Sequence, residues 1–275
     1  MLPSFLLSLR EGIEAALIIG IIIGVLTKIN HPELKPVVWR GVILAVLLSF
    51  VFGIGLNAIG MEFTGKLEEV FEGFAMLLAA AILTWMILWM QRQGGQIQRD
   101  LEARTVQATF KAGGSALFIL AFLAVFREGI ELALFLIATR MASDTLSVII
   151  GAVLGLGAAI TLGWLLFAST RRLNLKRFFQ VTNVLLLFFA AGLVAHGVHE
   201  LIEAGWIPGI IDPLWDINHI LSDQSEFGGI LKALFGYNGN PALTEVIAYL
   251  AYFAILGTII IRGQRKQINT EPAAA

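Results

Sequence analysis

The chain has 275 residues, of which 57% are hydrophobic and 14% are charged, and its mean hydropathy is +0.83. Soluble domains carry about 25% charged residues, so this composition predicts a membrane protein. The net charge of −1 argues against a nucleic-acid partner, and the absence of cysteine excludes disulfides, thiolate metal sites and cysteine nucleophiles.

Seven apolar stretches have the roughly 20 residues that a helix needs to cross a bilayer. Nothing between them resembles a soluble domain, so we predict an all-α polytopic membrane protein whose single domain covers residues 1–275. The predicted spans are approximately Leu2–Thr27, Val37–Asn57, Glu69–Trp89, Ala116–Thr139, Leu146–Ser169, Phe178–His199 and Leu243–Ile261.

The first span carries the pentapeptide Arg10-Glu11-Gly12-Ile13-Glu14. Residues at i, i+1 and i+4 of a helix fall within about 100° of arc, so Arg10, Glu11 and Glu14 share one face. Each charge inside a span costs at least about 2.5–3.5 kcal/mol, which indicates a functional role. The alternative is a local ion pair that fixes helix packing, although an arginine that pairs with one glutamate leaves the second unexplained.

The third span opens with Glu68, Glu69 and Glu72. Acidic residues are favourable at a helix N-terminus because they complement the helix dipole. The same residues could form an entry site for cations, and the sequence leaves both interpretations open.

The fourth span repeats the pentapeptide as Arg127-Glu128-Gly129-Ile130-Glu131. This predicts two copies of a three-span unit, at about 1–92 and 115–204, of which the second enters the membrane in the opposite direction. Inverted repeats are typical of secondary transporters, in which the substrate binds near the midplane where the repeats meet. Four carboxylates converging there would suit a hard cation such as Fe³⁺, Mn²⁺, Mg²⁺ or Ca²⁺. The predicted permeation site is Glu11, Glu14, Glu128 and Glu131, with Arg10 and Arg127 as supporting charges.

The sixth span ends in a second group of metal-ligating residue types. His196, His199, Glu200 and Glu203 are spaced three or four apart, which brings them together on one helix face. Imidazole with carboxylate suits iron, manganese or zinc, so this group is a candidate capture or exit site, with a purely structural role as the alternative. An outer loop at 205–242 follows, with a short interfacial helix predicted near Gly228–Leu234, and then the last helix at 243–261.

The basic residues give the orientation. Most of the 19 Lys and Arg residues lie in the first, third and fifth loops and in the C-terminal tail, which predicts a cytoplasmic C-terminus and an N-terminus outside. The opposite face is rich in acidic residues, which would concentrate cations, and a merely solvated face is the alternative.

The two Arg-Glu-Gly-Ile-Glu motifs, in spans 1 and 4 of a seven-span chain, resemble those of the high-affinity iron permeases, which include fungal oxidase-dependent and bacterial ferrous-iron-uptake members. The acidic opening of span 3 and the stretch FFAAGLVAHGVHELIEAG in span 6 extend the resemblance over nearly the whole chain. Many members of this family carry leucine where this chain has Ile13 and Ile130, and both residue types are aliphatic.

The resemblance implies that iron is the transported substrate, that the motif glutamates are needed for its passage, and that no organic cofactor is used. It also implies an extracytoplasmic partner that changes the oxidation state of iron, such as an oxidase, a peroxidase or a cupredoxin-like protein, and a location in the cytoplasmic membrane. The sequence itself leaves open the choice between Fe²⁺ and Fe³⁺ and whether the chain forms a homo-oligomer. A transporter of Mn²⁺ or Zn²⁺ and a non-transporting metal sensor remain alternatives, whereas no nucleophile or catalytic pair suggests an enzyme.

Overall fold

The computed structural model of the protein describes residues 1–60, 64–93, 97–111, 113–168, 175–223 and 225–270. All regular structure in these ranges is helical, which confirms the predicted all-α class. The helices are α1 (Leu2–Lys28), α2 (Lys35–Gly60), α3 (Lys66–Gln93), α4 (Ile97–Lys111), α5 (Gly113–Met141), α6 (Thr145–Ala168), α7 (Leu175–Glu203), α8 (Glu226–Phe235) and α9 (Leu243–Thr270), with a 3-10 turn at Pro32–Leu34 before α2.

Five helices in the described ranges are long and apolar enough to cross a membrane, and they match five of the seven predicted spans. The other two predicted spans correspond to α1 and α5, which have 27 and 29 residues but carry the charged pentapeptides near their middle. Ser169, at which the fifth span was predicted to end, lies outside the described residues. The five spans are Pro32–Ala58, Lys66–Met90, Thr145–Leu165, Arg177–Glu203 and Leu243–Arg262.

Two parallel helix pairs, α1 with α6 and α2 with α5, form the most extensive contacts of the bundle. Both pairs pack along residues spaced four apart that are mostly small, so that their backbones approach closely. A Cβ added at Gly155, for example, would lie 2.9 Å from Cβ of Ser8, and one at Gly163 would lie 2.8 Å from Cβ of Ala16. The stripes are Ser4, Ser8, Gly12 and Ala16 on α1, facing Gly151, Gly155, Ala159 and Gly163 on α6; and Gly41, Ala45, Ser49 and Gly53 on α2, facing Ala121, Val125, Gly129 and Ala133 on α5.

Helices α3 and α7 run antiparallel and cross where two glycines meet. A Cβ on Gly73 would lie 2.9 Å from the carbonyl oxygen of Gly197, and one on Gly197 would lie at the same distance from that of Gly73. The main apolar core lies between these helices and α1 and α5, and includes the fully buried Leu7 and Phe135. Helix α9 packs on the outside of α7.

Helix α4 lies in a segment that we predicted only as a loop. Its overall composition is polar, so it does not resemble a span, but Leu101, Thr105 and Thr109 are buried at a spacing of four residues. This stripe packs against α1 and α5. Because each threonine hydroxyl donates to the carbonyl four residues earlier, both polar groups are satisfied within the helix.

The predicted short helix in the outer loop is confirmed as α8. The Ser225 side chain caps its N-terminus by accepting from the Gly228 amide, and Gly236 ends it with a positive φ of 68°. The Gly236 backbone packs against Gly192 of α7, which lies 11 residues before the end of that helix. At 1.5 Å per residue, the end of α8 therefore lies roughly 16 Å along α7 from its terminus.

Candidate metal centre

The pentapeptide of α1 forms a compact ion pair with both of its carboxylates. Arg10 Nη1 donates to Glu11 Oε1 at 2.6 Å, and Nη2 lies 3.0 Å from Glu14 Oε1 without the direction of a hydrogen bond. The arginine is fully buried, as the helix places its side chain between α1 and α3. One guanidinium thus neutralises part of the charge of two glutamates, as the spacing of the motif allows.

The pentapeptide of α5 repeats this arrangement. Arg127 Nη2 donates to Glu128 Oε1 at 2.7 Å, and Nε lies 3.4 Å from Glu131 Oε1. The i, i+1 and i, i+4 contacts are the same as in α1, because the same sequence occupies the same helical positions.

The charged faces of α1 and α5 meet inside the bundle. Glu11, Glu128 and Glu131 each place one carboxylate oxygen so that the three atoms lie within 4.8 Å of one another. Their side chains are only 2%, 3% and 15% exposed. Glu14, which we predicted as a fourth ligand, stays beside Arg10 and is not part of this group.

Three oxygens of this group are buried without a hydrogen-bond partner, namely Oε2 of Glu11, Glu128 and Glu131, as is Oε1 of the neighbouring Glu14. An unpaired buried carboxylate oxygen is costly, so such atoms in a native site call for an explanation. Oxygens facing one another in a closed space are the ligand type that hard cations prefer. The donor set therefore fits a multivalent cation and offers it no sulfur or nitrogen ligand.

The two arginines have different surroundings, which the sequence analysis missed. Arg10 donates to the thioether sulfurs of Met86, at 3.4 Å, and Met90, at 3.5 Å. Arg127 is 51% exposed and lies over the ring of Trp89, 5.7 Å from its centroid, in a cation–π contact. The spacing of these three α3 residues, at i, i+3 and i+4, was the available signal for a common face.

The acidic residues at the start of α3 lie apart from the buried cluster. Glu68 is exposed, while Glu69 and Glu72 are partly buried. Oε2 of Glu69 is shielded from solvent and lacks a hydrogen-bond partner.

The residues predicted at the end of α7 do not converge on a single point. His196 places Nδ1 3.0 Å from the carbonyl oxygen of Gly192. His199 lies between Glu203, at 3.5 Å, and Glu245 of α9, at 2.9 Å. In the part of the chain that the structure describes, no three of the outer histidines and acids bring ligand atoms within 4.8 Å of one another.

Glu245 was not among the predicted site residues, although it contacts one of them. It is buried and also accepts hydrogen bonds from the Ala242 amide and from Asn238 Nδ2. These contacts tie the outer loop to α7 and α9. Nothing in the local sequence around Glu245 distinguishes this role from that of an ordinary helix-terminal acid.

A bundle of long apolar helices with a buried carboxylate cluster defines a membrane transport protein rather than an enzyme. The sequence of residues 1–266 matches the Iron permease FTR1 family, and the chain belongs to that family. It is 38% identical to the ferrous iron permease EfeU of an Escherichia coli strain, over 92% of both chains. It is 36% identical to the ferrous iron permease EfeU of Yersinia pestis, over 92% of this chain and 90% of the relative. A relative from a second Escherichia coli strain, also 38% identical over 92% of both chains, is named a putative inactive ferrous iron permease EfeU. No solved structure matches the chain significantly.

Proposed function

We propose that this protein imports iron across the cytoplasmic membrane and binds it in transit between Glu11, Glu128 and Glu131, with Glu14 as an accessory carboxylate. The observation that carries the proposal is the approach of three buried carboxylate oxygens to within 4.8 Å, across two helices that share one motif. Arg10 and Arg127 reduce the repulsion in the empty site, and the remaining negative charge favours a multivalent cation.

We further propose that the chain is a single domain built as an inverted repeat. The contacts of the small-residue stripes support this, because they recur in pairs at a constant offset. The contact between Gly12 and Ala159 has its counterpart between Gly129 and Ser49, and that between Gly163 and Ala16 has its counterpart between Gly53 and Ala133. In each case the α1 residue corresponds to the α5 residue 117 positions later, and the α2 residue to the α6 residue 110 positions later.

In this proposal α1 and α5 also cross the membrane, which gives seven spans. Their length is sufficient, and their charged residues pair with one another inside the bundle instead of facing lipid. The basic loops place the C-terminus in the cytoplasm and the N-terminus outside.

The outer acids and histidines would collect the cation before it reaches the cluster. We assign this role to Glu68, Glu69, Glu72, His196, His199, Glu200 and Glu203. The two relatives are named ferrous iron permeases, which favours Fe²⁺ as the ion delivered to the protein. An all-carboxylate cluster suits the harder Fe³⁺, so an extracytoplasmic oxidase, peroxidase or cupredoxin-like partner could act on the iron before passage.

Uptake of radioactive iron into proteoliposomes tests the proposal, with Glu128→Gln and Glu131→Gln as site variants. Glu33→Gln is the matched control, because that carboxylate is exposed and pairs with His31 outside the cluster. We expect uptake by the parent and the control but not by the site variants. If the parent protein takes up Mn²⁺ or Zn²⁺ in preference to iron, iron is not its substrate. If it binds iron but does not take it up, the protein is a metal sensor and not a transporter.

A further inference from the structure

The two copies of the motif are not equally accessible, although their sequences are identical. Arg10 is 0% exposed and its counterpart Arg127 is 51% exposed. Leu7, on the charged face of α1, is fully buried, whereas its counterpart Ala124 on α5 is partly exposed. In the proposed seven-span arrangement Arg127 lies within a span, where a charged side chain faces protein or water and not lipid, so its exposed side would border a water-filled opening beside α5.

The opening lies on the inner half of the bundle in the proposed orientation. Arg127 precedes Glu131 on a helix that runs from inside to outside, and Trp89, over which it lies, is close to the inner end of α3. A second apolar core lies between α1, α2, α4 and α5, and Val125 packs into it. This core does not cover the opening, because Val125 lies on the face of α5 opposite to Arg127.

The outer half of the path is closed by apolar side chains. Leu7 of α1 and Phe135 of α5, which lie outward of the motifs along their helices in the proposed orientation, are buried in the main apolar core together with Leu193 of α7. In this conformation the exposed part of the two motifs therefore lies on the inner side, while Glu11 and Glu128 stay almost fully buried.

Met86 and Met90 are well placed to hold Arg10 in its buried position. They contact both terminal nitrogens of Arg10 and direct its guanidinium toward the inner half of α3, where Arg127 also lies. Thioether sulfur is a weak acceptor, so this contact can be exchanged for another at little cost.

The α7 residues that correspond to Met86 and Met90 carry stronger hydrogen-bond acceptors. The offset of 110 positions that relates α2 to α6 also relates α3 to α7, and it matches buried residues of α3 with buried residues of α7. Met76, Ala79, Ala80 and Leu83 correspond in this way to Leu186, Phe189, Ala190 and Leu193. The same offset places Met86 on His196 and Met90 on Glu200.

We infer that this structure is an inward-facing state, in which Met86 and Met90 hold Arg10, and that His196 and Glu200 hold Arg127 in the outward-facing state. The inference rests on the proposed transport function and adds four positioning residues to it. The guanidinium of Arg127 would then form a charge-assisted hydrogen bond to Glu200, of the kind it now forms with Glu128.

The chain has no cysteine, so single cysteines report accessibility without background. Leu7→Cys and Ala124→Cys occupy equivalent positions and are probed with a membrane-impermeant thiol reagent from either side of the membrane. We expect Ala124→Cys to react from the cytoplasmic side and Leu7→Cys to be protected from both sides at rest. Fast labelling of Leu7→Cys from outside at rest would overturn the assignment of the state.

The positioning residues are tested in the same reporters. Met86→Leu with Met90→Leu removes the sulfur acceptors, and Met76→Leu, a buried methionine of the same helix without an arginine contact, is the matched control. We expect labelling of Leu7→Cys from outside to rise at least about fivefold in the double variant, because the buried Arg10 has lost its two sulfur acceptors, and to stay unchanged in the control.

His196→Leu with Glu200→Leu should act in the opposite direction. Added to the methionine double variant and measured without iron, it should lower the labelling of Leu7→Cys from outside while labelling of Ala124→Cys is kept. Changes of the same sign in both double variants would overturn the inference, because general loosening of the bundle has no direction. Labelling does not require iron transport, so opposite signs in a protein that moves no iron would support the two states and reject only the proposed substrate.

Discussion

The carboxylate cluster predicts that removing one negative charge stabilises the empty protein. With the three carboxylates ionised, Glu131 is repelled by Glu11 and Glu128 at separations of at most 4.8 Å and attracted by Arg127 at 3.4 Å. At an effective dielectric constant of about 20, each repulsion is worth at least about 3.5 kcal/mol and the attraction about 4.9 kcal/mol. Glu14 and Arg10 act on Glu131 in opposite directions, so the balance is a net repulsion of about 2 kcal/mol, which Glu131→Gln would relieve.

The assay is thermal unfolding of the purified protein in detergent, with and without added iron. We expect Glu131→Gln to raise the midpoint by about 4 °C without iron and to lose the further rise that iron gives the parent. Glu33→Gln changes the net charge by the same amount at an exposed position. Its unfolding midpoints with and without iron should therefore equal those of the parent. A lower midpoint for Glu131→Gln without iron would refute the reasoning, since it would mean that the ion pair with Arg127 outweighs the repulsion.

Three further predictions follow from the same contacts. Gly129→Leu would overlap α2 and should strongly reduce the amount of folded protein in membranes, whereas Gly157→Leu on the open face of α6 should not; protein levels by immunoblot decide. Arg10→Gln should lower the free energy of unfolding by about 3–5 kcal/mol, and Arg127→Gln by clearly less, because only Arg10 is fully buried; equal losses in denaturant titrations would contradict this. Glu14→Gln should weaken iron binding less than Glu131→Gln, as measured by calorimetry, because Glu14 lies outside the three-oxygen group.

The predictable part of the site is the part that one helix determines by itself. The contacts of Arg10 with Glu11 and Glu14 follow from residue spacing, and the same spacing in α5 gives the same contacts. The approach of the two charged faces was predicted from the repeated pentapeptide and not from either helix alone. The exclusion of Glu14 from the oxygen group depends on how α1 is rotated against α5, which spacing within one helix does not determine.

The features that were missed depend on packing between distant segments. Met86 reads as an ordinary apolar residue of a span, and its role appears only because α3 brings it against Arg10. Helix α4 was overlooked because its buried stripe consists mainly of threonines, whose hydroxyls are satisfied inside the helix. Glu245 likewise acquires its contact with His199 from the folding of the outer loop between them.

The packing of the bundle also bears on how a tightly bound cation could be released. The pairs α1 with α6 and α2 with α5 pack with closely approaching backbones, whereas Glu11 faces Glu128 and Glu131 across the boundary between these pairs. Each arginine–glutamate ion pair lies within one helix, so a rotation of one helix pair against the other would leave those ion pairs intact. The same rotation would move the Glu11 oxygen away from those of Glu128 and Glu131 and reduce their combined hold on a cation. Permeation requires binding that is strong enough for entry and weak enough for exit, and a site divided between two rigid pairs provides both states without breaking either motif.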